Sequence, residues 1–322
     1  MSPHLTKLVP IEKLHETRLK EPVVTIGAFD GVHRGHRAVI KTIVDWARDI
    51  DGESVIITFD RHPRSVLNHT WHGCITSLEH RFLLFEQNEV DCCVLLRFHK
   101  ENAGMSAETF VHEIIYKGLG CRRVVLGFDC KFGRNREGGI ETLRKMRDRD
   151  GGPLFEVRKV APLTIDGRKI SSTDIRTAIK EGRLDDAALL LGRPYSIVGT
   201  VTRSDARGRR LGFPTANMNL HHEISPPSGV YHTEALIHSG SRKGQRFNSV
   251  TNIGTRPTFT TAQEKPRAWV EAHLLDFEGD LYSRRLELVF LRRLRDEIKF
   301  SGPGELKQAI LADIESARDN QV

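Results

Sequence analysis

Two histidines three residues apart lie in "GAFDGVHRGH", residues 27–36, with Gly27, Gly31 and Gly35 around them and an apolar run, "PVVTI", ahead. A strand that ends in such a turn and feeds a helix leaves N–H groups pointing at an anion, and glycines let the backbone approach it closely. His33 and His36 can donate hydrogen bonds to phosphate oxygens there. Spacing alone leaves three readings open: a phosphate site, a structural turn and a metal site. The metal reading needs at least one further ligand, and zinc-binding helices space their histidines four apart with a glutamate between. No GxxxxGK[ST] phosphate loop occurs anywhere in the chain. A second group, "KISSTDIR" at 169–176, offers the hydroxyls of Ser171, Ser172 and Thr173 at an expected helix start, with Lys169 and Arg176 as cations. Those hydroxyls suit phosphate, and they equally suit an ordinary N-cap.

The second half of the chain carries a different set. In "GFPTAN", residues 212–217, Thr215 and Asn217 are two apart and point the same way if the segment is extended. A hydroxyl and an amide oxygen on one face suit a magnesium ion that keeps several waters and also meets ATP phosphates. The alternative is a turn in which Pro214 and Asn217 serve only the backbone. Glu271 stands in "AWVEAHLLDF", where Trp269, Leu275 and Phe277 share its parity and Val270, Ala272 and Leu274 take the other. Both faces read as buried, so a carboxylate there is costly unless it is paired or functional. Arg267 and Arg285 are the available ion-pair partners.

These residues need elements to hold them. In the first half, "PVVTIGAF", "SVIITF", "VDCCVLL" and "RRVVLGF" read as strands. They alternate with helical patterns after residue 37, in "SLEHRFLLFEQ", in "SAETFVHEIIYKG", near 139–148 and over 172–181, with a short strand between the last two. Such alternation predicts a doubly wound parallel sheet with helices on both faces, which binds ligands beyond the carboxyl ends of its strands. In the second half, "YSIVGTVTR", "GVYHTEALIH", "RFNSVTNIG", "AWVEAHLLDF" and "RRLELVFLRRL" are strand-like, and a helical pattern returns only at about 303–317. This predicts an antiparallel β-barrel with one C-terminal helix. The expected boundary falls near residue 186, dividing the chain into 1–186 and 187–322.

Composition narrows the class. The 322 residues are 39% hydrophobic and 28% charged, which suits two globular domains. The net charge of +7 favours anionic partners. A nucleic-acid binder would interleave aromatics with basic residues, and only 7% of the chain is aromatic, so no nucleic acid is expected. No apolar stretch approaches the roughly 20 residues that span a bilayer, and the N-terminus lacks a signal-peptide core. The five cysteines form no CxxC. The expectation is a cytoplasmic protein without disulfides or membrane contact.

Taken together, the motifs resemble those of the bacterial bifunctional riboflavin kinase/FAD synthetases, whose first activity-bearing half is a nucleotidyltransferase. "GAFDGVHRGH" resembles that family's nucleotidyltransferase signature. "TFDRHP" at 58–63, "GFDCKFG" at 127–133 and "KISSTDIR" follow in the family's order, as do "LLGRPYSIVGTV", "LGFPTANM", "NIGTRPTF" and "VEAHLLDFEGDLY". The resemblance implies ATP-dependent phosphorylation of riboflavin to FMN in the second half, then adenylylation of FMN to FAD with release of pyrophosphate in the first. It implies that His33 and His36 stabilise the departing pyrophosphate, and that Gly27, Phe29, Asp30, Gly31, Gly35, Asp129, Lys169, Ser171, Ser172, Thr173 and Arg176 line that nucleotide site. Asp60, His62 and Arg256 fall on the flavin side. In the second half it implies that Gly212 and Pro214 contact ATP, that Thr215 and Asn217 hold Mg2+, and that Glu271 takes the proton from the ribityl 5′-hydroxyl. The loop "RSDARGRRLGFPTAN" is expected to cover the ATP phosphates with Arg207, Arg209 and Arg210, although Ser204 and Ala206 stand where glycines are frequent. Cys130, Arg61 and Asp174 replace the family's usual aromatic, proline and arginine. Cys130 and Asp174 motivate a second reading, a riboflavin kinase with a degenerate first domain.

Overall fold

The computed structural model describes residues 4–62, 65–66, 73–99, 104–203, 212–255 and 268–319. The chain forms two compact units, Met1–Ser172 and Thr173–Val322.

In the first unit six strands form one parallel sheet. They are β1 (Lys7–Pro10), β2 (Val23–Ile26), β3 (Ser54–Phe59), β4 (Cys92–Leu96), β5 (Arg123–Gly127) and β6 (Glu156–Val160). Their order is β1-β4-β3-β2-β5-β6. The chain winds outward on one side of β2 and then returns to its other side, so the topological switch lies between β2 and β5. Helices α1 (Arg34–Asp49), α2 (Leu78–Gln87), α3 (Ala107–Phe110, continued as a π-helix over Val111–Gly118) and α4 (Ile140–Lys145) follow β2, β3, β4 and β5.

Period-two alternation explains why both faces are covered. Val24, Ile26, Val55, Ile57 and Leu126 pack against Phe110, Val111, Ile115 and Leu143. Val23, Ile56, Cys93 and Val125 pack on the opposite face against Ile40, Ile43, Val44, Leu84 and Phe85. Burying each such side chain contributes roughly 1.5–3 kcal/mol. The helix expected over 139–148 stops at Lys145, because Met146 turns extended (φ −71°, ψ 137°) and accepts a backbone bond from Leu154. A small hairpin, β7 (Thr164–Ile165) and β8 (Arg168–Lys169), closes this unit. Neither β1 nor this hairpin has enough length to show a period in the sequence.

Helix α5 (Ser172–Lys180) begins at the last residue of the first unit and runs into the second, followed by α6 (Leu184–Leu191), which ends on Gly192 in the left-handed region (φ 77°). Then comes a closed antiparallel barrel of six strands in the order β10-β13-β12-β11-β14-β9. They are β9 (Ser196–Thr202), β10 (Ala216–Asn219), β11 (Gly229–Ile237), β12 (Arg246–Thr255), β13 (Ala268–Leu274) and β14 (Arg285–Arg295). Helix α7 (Pro303–Arg318) follows. The inward parity holds Val201, Ala216, Met218, Val270, Ala272, Tyr231 and Phe290, all buried. It also holds a hydroxyl cluster, in which Thr233 meets Ser249 at 2.7 Å and Thr251 at 2.6 Å. On the outer parity, Val230 and Val250 are covered by Ile314 and Ala317 of α7. The Arg295 guanidinium grips the Asp313 carboxylate at 2.9 and 2.7 Å.

Candidate active sites

The "GAFDGVHRGH" stretch is a strained strand-to-helix turn at the carboxyl end of β2. Phe29 (φ 49°), Gly31 (φ 85°) and Val32 (φ 39°) all lie in the left-handed region. Val32 is β-branched and fully buried, so this conformation costs on the order of 1–3 kcal/mol and has to be imposed by its surroundings. The surroundings are visible. The buried Asp30 carboxylate accepts the N–H groups of Ile75 (2.8 Å) and Thr76 (3.1 Å), and the Thr76 hydroxyl accepts the N–H of Gly31 (2.8 Å). A Cβ on Gly31 would lie 3.2 Å from Ile75, so the close approach requires glycine as well as the positive φ.

His33 caps α1. Its Nδ1 accepts the backbone N–H of His36 at 3.2 Å, which leaves the ring proton on Nε2, where it can be donated. A Cβ on Gly35 would sit 3.3 Å from the His33 ring, a tight contact that the ring would have to yield to. The two imidazoles stack, centroids 3.6 Å apart and 15° from parallel, and Phe29 meets His36 edge-on at 5.2 Å. Burial of the ring, then His33, then the Arg81 guanidinium hold the His36 pKa well below its ordinary value. Its Nδ1 is inaccessible and finds no hydrogen-bond partner among the described residues. The result is two close rings at the positive end of a sixteen-residue helix, with His36 biased toward its neutral form, an arrangement that can donate to phosphate oxygens.

Other predicted residues fall around this turn in different ways. The Ser172 hydroxyl donates to the Asp30 carbonyl at 3.0 Å, bringing the "KISST" segment to the histidine turn. Ser171 is half-buried, and Lys169 is exposed with its ammonium 5.1 Å from the Phe128 ring. Thr173, exposed, and Arg176, half-buried, belong to the second unit. Asp129 is exposed in the turn after β5, and the neighbouring Cys130 thiol donates to the Ile26 carbonyl at 3.3 Å. Gly27 extends the sheet, its N–H donating to Ile57 O at 3.1 Å. Asp60 serves the backbone: Oδ1 accepts from Arg61 (2.7 Å) and Phe98 (2.9 Å), joining the ends of β3 and β4. The His62 carbonyl accepts from the Ser65 N–H and hydroxyl. Arg81 is the residue that sequence reasoning passed over. It lies on α2, is 5% exposed, and donates to Ala28 O, Thr58 Oγ1 and Phe59 O. The signal was its position three and four residues before Leu84 and Phe85, on the apolar side of that helix.

In the second unit, register builds the site. Asn217 lies directly opposite Glu271 across β10 and β13, and Asn252 lies opposite Glu271 across β12 and β13. Directly opposed residues share a face, so two amides flank one carboxylate. That face is the outer one. Val270, Ala272 and Leu274 point inward and are buried, whereas Trp269, Glu271 and His273 are half-buried. The expectation of two buried faces is therefore corrected, because a closed barrel has one interior. Glu271 forms no ion pair among the described residues; Arg285 lies on β14, away from it, and Arg267 is outside the described residues. His273 ties the motif down: its Nδ1 bonds the Pro214 carbonyl at 2.8 Å, and its ring meets Phe213 edge-on at 5.7 Å. Thr215, half-buried, precedes β10 at the parity of the buried Asn217; Pro214 is exposed, and so is Gly212 with its φ of 91°. Ser204, Ala206, Arg207, Arg209, Arg210 and Arg256 also lie outside the described residues. Among the described residues no three His, Cys, Asp or Glu side chains gather as a metal cage. The donors present are a hydroxyl, an amide and one carboxylate, all hard oxygens, a set that fits a magnesium ion keeping most of its waters.

Comparison with known proteins finds two family models, one for each half of the chain. A family model for FAD synthetase matches residues 15–174, and one for riboflavin kinase matches residues 191–321. The chain is 36% identical to a bifunctional riboflavin kinase/FMN adenylyltransferase of Pseudomonas fluorescens, over 92% of each chain. It is 35% identical to the enzyme of that name from Bacillus subtilis, over 98% of this chain and 96% of the relative. Among solved structures it matches one titled as a macrolide-efflux protein from Streptococcus pneumoniae, with a TM-score of 0.78, 30% identity and coverage of 98% and 99%. Among the described residues of the present chain, no helix is long and apolar enough to cross a membrane. With both family models matched in order and relatives aligned over nearly their full length, the chain belongs to the bifunctional riboflavin kinase/FMN adenylyltransferase family.

Proposed function

We propose that the chain makes FAD from riboflavin in two ATP-dependent steps, with residues 187–322 phosphorylating riboflavin and residues 1–186 adenylylating the product. The observation that supports this reading is that each unit carries its own cluster suited to phosphate chemistry: the stacked histidines on a strained turn, and Glu271 in register with Asn217.

In the first step Glu271 accepts the proton of the riboflavin 5′-hydroxyl, whose oxygen attacks the γ-phosphorus of ATP; the bond to the β–γ bridging oxygen breaks and ADP leaves. A half-buried carboxylate without a cation partner among the described residues is suited to act as that base. Thr215 and Asn217 would hold Mg2+, which neutralises phosphate charge when bound. Gly212 and Pro214 border the ATP phosphates, and Arg256 contacts the flavin. In the second step an FMN phosphate oxygen attacks the α-phosphorus of ATP and pyrophosphate departs. The Nε2–H of His33, with His36 beside it, donates to the leaving pyrophosphate at the start of α1. Gly27, Phe29, Asp30, Gly31 and Gly35 shape that cradle; Ser171, Ser172, Thr173, Lys169 and Arg176 meet the nucleotide phosphates, Asp129 the adenosine part, and Asp60 and His62 the flavin. A cytoplasmic setting is consistent with five cysteines of which none is in a disulfide.

The test is product analysis by chromatography. Riboflavin, ATP and magnesium give FMN and then FAD; supplied FMN gives FAD directly. FMN without FAD from either substrate would favour the kinase-only reading, and neither product from folded protein would overturn both.

A further inference from the structure

The backbone ladder between β2 and β3 ends where the Gly27 N–H meets Ile57 O at 3.1 Å. Beyond that point the two chains diverge, one into the histidine turn and the other toward Asp60. Arg81 bridges the gap. One guanidinium nitrogen donates to Ala28 O and to Thr58 Oγ1, each at 2.8 Å, and the other donates to Phe59 O at 2.9 Å. We propose that Arg81 is a positioning residue for adenylyl transfer, pinning the carboxyl ends of β2 and β3 beneath the turn that carries His33 and His36. The proposal rests on the reading of those histidines as phosphate donors.

Packing alone does not account for an arginine here. The side chain is 5% exposed beside Leu84 and Phe85, and it forms no ion pair with a described residue. A buried cation is expensive, and a hydrophobic residue of similar volume is often at least as stabilising. What a hydrophobic residue cannot do is collect two carbonyls and a hydroxyl from two strands in one planar fork. Ala28 is the residue immediately before the left-handed Phe29, so the bond to its carbonyl fixes where the strained turn begins. A misplacement of about 1 Å at such a point can cost on the order of 100-fold in rate.

The charge acts in the same direction. The groups that bear on His36 are His33 and Arg81, and those that bear on Arg81 are Asp30, Cys74, Cys93 and Glu79. The Arg81 cation opposes protonation of His36, after burial and His33, and so favours its neutral ring.

The experiment uses the full chain with Arg81→Lys and Arg81→Met. It measures FAD formation from supplied FMN, ATP and magnesium, thermal melting, and the His36 Cε1 proton shift against pH. Arg81→Lys keeps the charge and loses the fork. It is expected to lower kcat on the order of 10-fold or more, with KM values held within about threefold and the His36 titration unmoved. Arg81→Met is expected to lower kcat at least as far and to move the His36 titration upward. A merely structural role would lower melting without separating the two titrations. Wild-type kcat in folded Arg81→Lys overturns the proposal, and that variant decides the matter if Arg81→Met does not fold. Wild-type FAD formation by His36→Ala would sink the underlying reading instead, which makes the two failures distinguishable.

Discussion

At the scale of single residues, the proposed roles of Glu271 and His36 can be tested apart. Glu271→Ala should lower FMN formation from riboflavin by about 10²–10⁴-fold while FAD formation from supplied FMN stays within twofold. Loss of both in folded protein would argue against two separate sites. His36→Ala should do the reverse, costing FAD formation on the order of 10²-fold and sparing the kinase. His36 also links folding to pH. Its folded pKa is depressed, so between that value and the ordinary one the unfolded chain binds a proton that the folded chain does not. Its contribution is therefore complete above about pH 6.5 and is lost as pH falls toward the folded value. A melting curve for His36→Gln that is flatter over this window than wild type would confirm the sign; an identical slope would refute it.

At the scale of elements, caps and burial set what each segment tolerates. Ser77 caps α2 by accepting the His80 N–H at 3.2 Å, and α2 carries Arg81. Ser77→Ala is expected to cost about 1 kcal/mol in denaturant unfolding of the first unit. The strands also decide thiol reactivity. Burial pushes Cys92, Cys93, Cys121 and Cys130 up to about 12, so almost none of their thiolate exists at pH 8. In native protein these four should resist a thiol reagent that labels all five cysteines after denaturation; rapid labelling of Cys130 would contradict its burial against β2. Strand parity was legible for Val270, Ala272 and Leu274, but which parity faced inward was not. Only closure of the barrel makes one face of β13 the interior.

At the scale of the molecule, the chain divides into two compact units, and the family models matched over residues 15–174 and 191–321 follow in the same order along the chain. Helix α7 belongs to the barrel through Arg295 and Asp313. Removing Asp313 leaves the partly buried Arg295 cation without its partner, so Asp313→Ala should destabilise the second unit by about 1–3 kcal/mol, read by denaturant unfolding of full-length protein. A loss under 1 kcal/mol would mean that the apolar contacts of Ile314 and Ala317 hold the helix alone.

Much of the fold was legible because it rests on local patterns. Alternating strand and helix periods indicated the parallel sheet, and strand-like runs broken by Gly, Pro and Ser indicated the barrel. His33, His36, Thr215, Asn217 and Glu271 drew attention by residue type and position, but spacing left structural alternatives open for each, and their proposed roles come from the family resemblance. Tertiary structure decided the rest, since contacts between distant segments leave no period in a sequence. It set Asn252 beside Glu271, hung Asp30 on the backbone of Ile75 and Thr76, and used Asp60 to join two strand ends. It also turned Arg81, which reads as an ordinary helix arginine, into the buried fork beneath the histidine turn.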